Sequence, residues 1–449
     1  MSAGLVSIIT LVLLMLLLFY GVHLGVSLMV TSLVGVYLVT GNFITASNLL
    51  GTTAWTAIRE YAFGVIPLFV LMGLFANLSG ASQELYDGAS LVVKKIKGGV
   101  GIATIIANAI FACITGVSIA SAAVFSKIAY PQMIRLGYNK KFAVGTIGGS
   151  SILGMLLPPS LLMIVFGTQA NVSIGRLFIA GIIPGIIMTI AFIIVVRIII
   201  FIRPNMVPAS GETLTPEEKA NFWKVIFKPW PISILIVFTF GSIWLGLCTP
   251  TEAGGIGALG ALALVFAKKK FVLKTFWDTL VSAGSTTGAL LFLLVSAQMY
   301  SRALAISGIT NVVERFVLSL DVPHMVIVLF FLLLLIIFAF FLDSTSVVLL
   351  TTPLMAPIIS GMGMDMVWFG IIAIIAIETG LITPPFGMCV FTIKSSIDTL
   401  GPETDKVTLE DIYSGSVPYV LGMIAVMLLL VYIPILVTIL PDLMLKVAI

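Results

Sequence analysis

The sequence predicts an all-α polytopic membrane protein made of two inverted halves, each with one re-entrant helical hairpin and one broken transmembrane helix. Three observations carry this. First, 60% of the 449 residues are hydrophobic and only 9% are charged, against about 25% charged in ordinary soluble domains. Second, apolar runs of roughly 18 residues or more, each long enough to cross a bilayer, recur along the whole chain. Third, one motif occurs twice inside such runs, as Gly154-Met155-Leu156-Leu157-Pro158-Pro159 and as Gly380-Leu381-Ile382-Thr383-Pro384-Pro385. Proline removes a backbone donor and clashes with the preceding turn, so each copy breaks its helix at bilayer depth. Backbone groups freed there are tolerated only inside protein or along a polar cavity. The short alternating segments of a membrane β-barrel are absent from the sequence.

In chain order, residues 5–39 read as two helices. The first lacks the basic flank and small-residue cleavage site of a signal peptide and is expected to be retained. Residues 63–78 form the next span. Residues 82–96 mix charges with aromatics, as helices lying in the membrane interface do. Two apolar pieces, 98–114 and 119–133, flank the tip Thr115-Gly116-Val117-Ser118 and form the first hairpin, ahead of the first break. Residues 174–201 are a span, 204–220 a polar linker and 222–230 a second interfacial stretch. Spans at 232–247, 254–266 and 283–300 follow. The pieces 324–342 and 347–359 flank the tip Asp343-Ser344-Thr345-Ser346 and form the second hairpin, ahead of the second break. Residues 417–440 are read as one final span.

Charge sets the orientation. Lys and Arg gather in four groups: Lys94, Lys95 and Lys97; Arg135, Lys140 and Lys141; Arg203, Lys219, Lys224 and Lys228; and Lys268, Lys269, Lys270 and Lys274. The positive-inside rule places all four in the cytoplasm. The first hairpin therefore starts and ends inside, and counting crossings puts the second on the outer side. Inverted repeats with paired broken helices are the mark of secondary transporters, with the binding site at the breaks.

The residue types at the tips and breaks point to ion chemistry. Hydroxyls of Thr115, Ser118, Ser150, Ser151, Ser344, Thr345 and Ser346, with backbone carbonyls near Gly154–Leu157 and Gly380–Thr383, are hard oxygen donors suited to a small alkali cation. The half-helices that restart at Pro158 and Pro384 present positive ends suited to an anionic substrate. Asp343 either coordinates ion or substrate or caps the helix after it. Glu378 either pairs within the protein or coordinates, and Lys127 either snorkels or touches substrate. Cys113, Cys248 and Cys389 have neither zinc nor disulfide spacing, so no transition metal is expected. Two histidines without a nucleophile–base arrangement argue against an enzyme. No cofactor and no nucleic-acid partner is expected beside the lipid bilayer.

Several stretches resemble the large membrane subunit of the tripartite ATP-independent periplasmic (TRAP) transporters. They are Pro67-Leu68-Phe69 through Met72-Gly73, Gly116-Val117-Ser118-Ile119-Ala120-Ser121-Ala122-Ala123, Ile152-Leu153-Gly154-Met155-Leu156-Leu157-Pro158-Pro159-Ser160, Thr249-Pro250-Thr251-Glu252-Ala253, Phe341-Leu342-Asp343 and Thr383-Pro384-Pro385. The resemblance implies an elevator-type importer of the bacterial inner membrane, driven by sodium. Its partners would be a small four-helix membrane subunit and a periplasmic substrate-binding protein that delivers a small organic anion, often a carboxylate. By position, Thr115, Gly116, Ser118, Ser151, Gly154 and Leu157 would hold one sodium ion, and Thr345, Ser346, Gly380 and Thr383 another. Ser121, Pro158, Pro159, Asp343, Ser344, Pro384 and Pro385 would face the substrate. Scaffold helices would occupy 1–80, 174–305 (with a cytoplasmic linker at 203–222) and 399–449, and transport halves 81–173 and 306–398. The alternatives are a stand-alone sodium- or proton-coupled anion carrier without a binding protein, and a passive channel.

Overall fold

The structure is a computed structural model that describes residues 3–208, 215–401 and 407–447. Residues 209–214 of the predicted linker lie outside the described residues. In the first half, α1 (Ala3–Phe19), α2 (Leu24–Thr40), α3 (Phe43–Ile58) and α4 (Val65–Leu78) lead to α5 (Ala81–Val93). The first hairpin is α6 (Gly99–Thr115) and α7 (Ser118–Arg135). The first broken helix is α8 (Lys140–Ser151), the single turn α9 (Leu153–Leu156) and α10 (Leu161–Ala170), followed by α11 (Ile174–Ile202). In the second half come α12 (Pro216–Ile226), α13 (Trp230–Trp244), α14 (Pro250–Ala267), α15 (Leu273–Ser307) and α16 (Ile309–Leu318). The second hairpin is α17 (His324–Phe341) and α18 (Ser344–Gly361), and the second broken helix is α19 (Met366–Leu381) and α20 (Met388–Asp398). The chain closes with α21 (Leu409–Tyr432) and α22 (Ile435–Val447). No strand occurs among the described residues. Among the described residues, eight helices are long and apolar enough to span a membrane, or nine if α8–α10, bent by 42°, counts as one.

The helix starts follow from short polar side chains that satisfy orphan amides. Asn42, Asn139, Ser160, Ser173 and Asp365 each accept a backbone N–H of the first turn. Thr215 with Glu218, Thr249 with Glu252 and Thr408 with Asp411 close reciprocal capping boxes.

Polar contacts bring the four basic groups to one end of the bundle. Lys94 pairs with Glu218 at 2.6 Å. Lys228 lies 3.7 Å from Glu84, which Lys268 also meets. The amide of Asn139 donates to the carbonyl of Met206 at 2.9 Å. Both arms of the first hairpin end at this face, the cytoplasmic one by the positive-inside rule. Its returning arm α7 packs on α8 and on α20 of the second half, while α18 packs on α19 and on α10 of the first. Each hairpin thus lies against the far half of the other repeat's broken helix.

Three elements differ from the sequence reading, and the packing of α11 and α21 stands beside them. The stretch 417–440 is two helices, because Pro434 follows Ile433 and interrupts the ladder between α21 and α22. The span expected over 283–300 is the middle of the 35-residue α15. The helices α3 and α16 went unread: α3 carries Asn, Thr and Gly among its apolar residues and stays largely exposed, and none of the residues of α16 is buried. Finally, α11 and α21, expected among scaffold helices, pack with the broken helices: α21 on α8, α19 and α20, and α11 on α9, α10 and α19. The other body is formed by α1–α4 and α13–α15, through the pairs α4–α14, α2–α15, α3–α15 and α13–α14.

Candidate functional site

The first tip closes directly on the first break. Gly116 ends α6 in the left-handed region at φ +62°, and its carbonyl accepts the amide of Leu161 at 3.1 Å. A Cβ on Gly116 would lie 2.2 Å from the carbonyl oxygen of Pro159. Gly154 approaches from the other side, where a Cβ would lie 2.9 Å from the Val117 carbonyl and the Ser118 amide. Glycine is required at both positions, at Gly116 by dihedral as well as space. Ser118, the first residue of α7, is 1% exposed, and its hydroxyl lies 3.4 Å from the Ile152 carbonyl. Thr115 donates to Phe111 at 3.2 Å, and its hydroxyl sits 3.5 Å from that of Ser121. Ser151 is buried and donates to Gly148 at 2.8 Å. Leu157 takes an extended conformation that ends α9. Pro158 and Pro159 are buried, and Ser160 caps α10 while donating to Met155 at 2.5 Å. The structure therefore brings Gly116, Ser118 and Gly154 of the first predicted set together at one buried junction, while the hydroxyls of Thr115 and Ser151 donate within their own helices.

The second tip is built differently. Asp343 caps α18: it accepts the Ser346 amide at 3.1 Å and the Ser346 hydroxyl as well. The structure forms the cap that was one of the two readings of Asp343. Thr345 and Ser346 are buried. Gly380 packs on the outgoing arm α17, where a Cβ would lie 2.5 Å from Ala339 Cβ and 2.6 Å from the Ile336 carbonyl. Its carbonyl is engaged by the amide of Thr383 at 3.1 Å, and the Thr383 hydroxyl donates to Thr379 at 2.6 Å. Pro384, Pro385 and Phe386 are exposed, and Tyr413 at the start of α21 donates to the carbonyls of Pro385 and Phe386 at 3.1 and 2.6 Å. So one break is sealed in protein and the other opens onto a surface.

One residue joins the two tips. Glu378, on α19 two residues before Gly380, is 1% exposed. Its Oε2 accepts the hydroxyl of Ser118 at 2.5 Å and its Oε1 that of Ser344 at 2.8 Å. Sequence singled out Glu378 but gave no sign that hydroxyls from both hairpins converge on it. Nor did it foresee the buried bond from Asn108 to Ser150, at 2.9 Å, that ties α6 to α8. An Asn in the middle of an apolar arm was the available signal. Lys127 is exposed on α7.

Among the described residues no group of three His, Cys, Asp or Glu is placed to hold a metal. The oxygen-rich tips fit a weakly bound, hard cation better than a transition metal.

Comparison with known proteins gives a consistent result. A family model described as "Tripartite ATP-independent periplasmic transporter, DctM component" matches residues 11–436. The chain is 28% identical over 377 residues to the C4-dicarboxylate TRAP transporter large permease protein DctM of Pseudomonas aeruginosa, covering 84% of this chain and 85% of that one. It is 28% identical over 432 residues to the sialic acid TRAP transporter large permease protein SiaM of Vibrio cholerae, covering 96% and 97%. It is 28% identical over 393 residues to the 2,3-diketo-L-gulonate TRAP transporter large permease protein YiaN of Escherichia coli, covering 86% and 88%. Among solved structures, the YdaH transporter of Alcanivorax borkumensis superposes with a TM-score of 0.57 at 13% identity, covering 86% of this chain and 88% of that one. That likeness is one of fold.

Proposed function

Because this chain belongs to the DctM-component family of TRAP transporters, we propose that it is the large permease subunit of a sodium-driven importer of a small organic anion, most simply a carboxylate. It would work in the bacterial inner membrane with a small four-helix membrane subunit and a periplasmic substrate-binding protein. The observation that carries the ion reading is the first junction, where the Ser118 hydroxyl and the Ile152 carbonyl lie 3.4 Å apart beside two glycines that let tip and break touch, with the Thr115 and Ser121 hydroxyls 3.5 Å from each other at the same tip. Such oxygens replace the hydration shell of an alkali cation at low cost. Its counterpart lies at Thr345, Ser346, Gly380 and Thr383. The half-helices restart at Leu161 and Met388, a few residues after the proline pairs where sequence placed them. The anion belongs between the tips and the stretches Pro158–Pro159 and Pro384–Pro385 that lead into those starts, whose ends offer partial positive charge. The names of the relatives cover a dicarboxylate, a sialic acid and a diketo-sugar acid, all organic acids, which supports an acid substrate for this chain.

The test is uptake into proteoliposomes holding this chain and the small subunit, with the binding protein added outside. Accumulation should require an inward sodium gradient and the loaded binding protein. Uptake that persists in sodium-free choline buffer removes the coupling. Uptake of free substrate at the same rate removes the binding-protein requirement.

A further inference from the structure

The contact between the hairpins adds a site to this reading and rests on it. Glu378 is a carboxylate inside the helical bundle, and among the described residues no Lys, Arg or His side chain pairs with it. Its hydrogen-bond partners are the Ser118 hydroxyl at 2.5 Å and the Ser344 hydroxyl at 2.8 Å, and the Ile152 carbonyl lies 3.4 Å from the former; the buried Cys389 thiol is also near it. Ser118 opens α7 and Ser344 opens α18. Two helix starts, each with partial positive charge, therefore face one carboxylate. Partial charges offset only part of a full buried charge, and an uncompensated buried carboxylate is costly.

We infer that Glu378, the Ser118 and Ser344 hydroxyls and the Ile152 carbonyl form a sodium site shared by both hairpins, which takes Ser118 and the Ile152 carbonyl from the first junction and adds Glu378 and Ser344. The ligand set is one full negative charge, two hydroxyls and a carbonyl. This matches a small monovalent cation and repels an organic anion. Ser344, placed by sequence among the substrate contacts, accordingly moves to the cation side. An ion held here is bound by both repeats at once. Neither hairpin can leave the other without losing ligands, so occupancy of this site makes the two tips move as one unit.

The experiment is a sodium titration of the purified full chain at constant ionic strength, balanced with choline. It reads the thermal unfolding midpoint. Wild type should be stabilised saturably. Glu378→Gln, nearly isosteric but neutral, should raise the half-saturating sodium concentration at least ten-fold, and Glu378→Asp should raise it less. Ser118→Ala and Ser344→Ala should each raise it several-fold, although they lie on different hairpins. A wild type that ignores sodium overturns the sodium reading as a whole. A wild type that responds while Glu378→Gln responds equally overturns this site alone, since a protonated, merely hydrogen-bonding acid is replaced by Gln without loss. An effect of Ser118→Ala without any of Ser344→Ala confines the ion to the first junction and also overturns the shared site. A variant that unfolds without added sodium is compared with wild type by sodium-driven uptake in cells, where the same shifts decide.

Discussion

At position 116 a single hydrogen atom decides whether the first tip reaches the first break. A methyl group there meets both an unfavourable dihedral and the Pro159 carbonyl 2.2 Å away. Gly116→Ala is expected to destabilise the protein by about 1–3 kcal/mol and to abolish uptake, measured by thermal unfolding in detergent and by transport. Asp343 gives a contrasting prediction. It caps α18 through the Ser346 amide, so Asp343→Asn, which keeps the capping oxygen, should leave the sodium dependence of uptake unchanged. Asp343→Ala should lose about 1 kcal/mol of stability. A ten-fold change in sodium requirement in Asp343→Asn would mean that the charge, not the cap, is what counts. Sequence left Asp343 undecided because a cap and an ion ligand need the same residue at the same helix start. It singled out Glu378 because an acid in an apolar helix stands out, but its partners are 260 and 34 residues away. A pairing at such separations leaves no local pattern.

Between elements, one tight seam lies where α8 meets α21. A Cβ on Gly145 would sit 2.1 Å from the Gly415 carbonyl, and one on Gly415 would sit 2.1 Å from the Lys141 carbonyl. Close backbone approach through small residues is how helices associate in membranes. Thr146 and Tyr419 share a buried hydrogen bond at 2.7 Å on the same seam, and Asp411 takes Lys140 at 2.8 Å at its cytoplasmic end. Gly145→Val should push α21 off α8 and yield little folded protein, whereas Tyr419→Phe should cost only about 1 kcal/mol and preserve transport. Size-exclusion profiles and unfolding midpoints separate the two. Hydrophobic runs and the doubled Gly-x-x-x-Pro-Pro made the hairpins and breaks legible to within a few residues. They did not show which helices α11 and α21 join, because lipid and protein demand the same apolar surface from a spanning helix. Packing partners are then set by small residues such as Gly145 and Gly415, which look ordinary in a membrane sequence.

For the whole molecule, two bodies of helices touch along a boundary crossed by few polar contacts. One of these is the hydroxyl of Ser301 on α15, 3.4 Å from the side-chain oxygen of Gln169 on α10. If import moves one body past the other, joining them there should stop it. With Cys113, Cys248 and Cys389 replaced, the pair Ser301→Cys and Gln169→Cys should cross-link under oxidant and lose most uptake, with recovery on reduction. Cross-linked protein that still transports at full rate would argue for fixed bodies.

The two halves are inverted copies, yet Pro158 and Pro159 are buried while Pro384 and Pro385 are exposed. If each half adopts the other's arrangement, the molecule reaches a second shape from local geometries it already contains. In that shape the first proline pair opens toward the outer face as the second closes. The same chain then encodes both ends of its cycle, and the difference between them is only which copy plays which part. Single cysteines at Leu157 and at Phe386 should accordingly be reactive in alternation and never together.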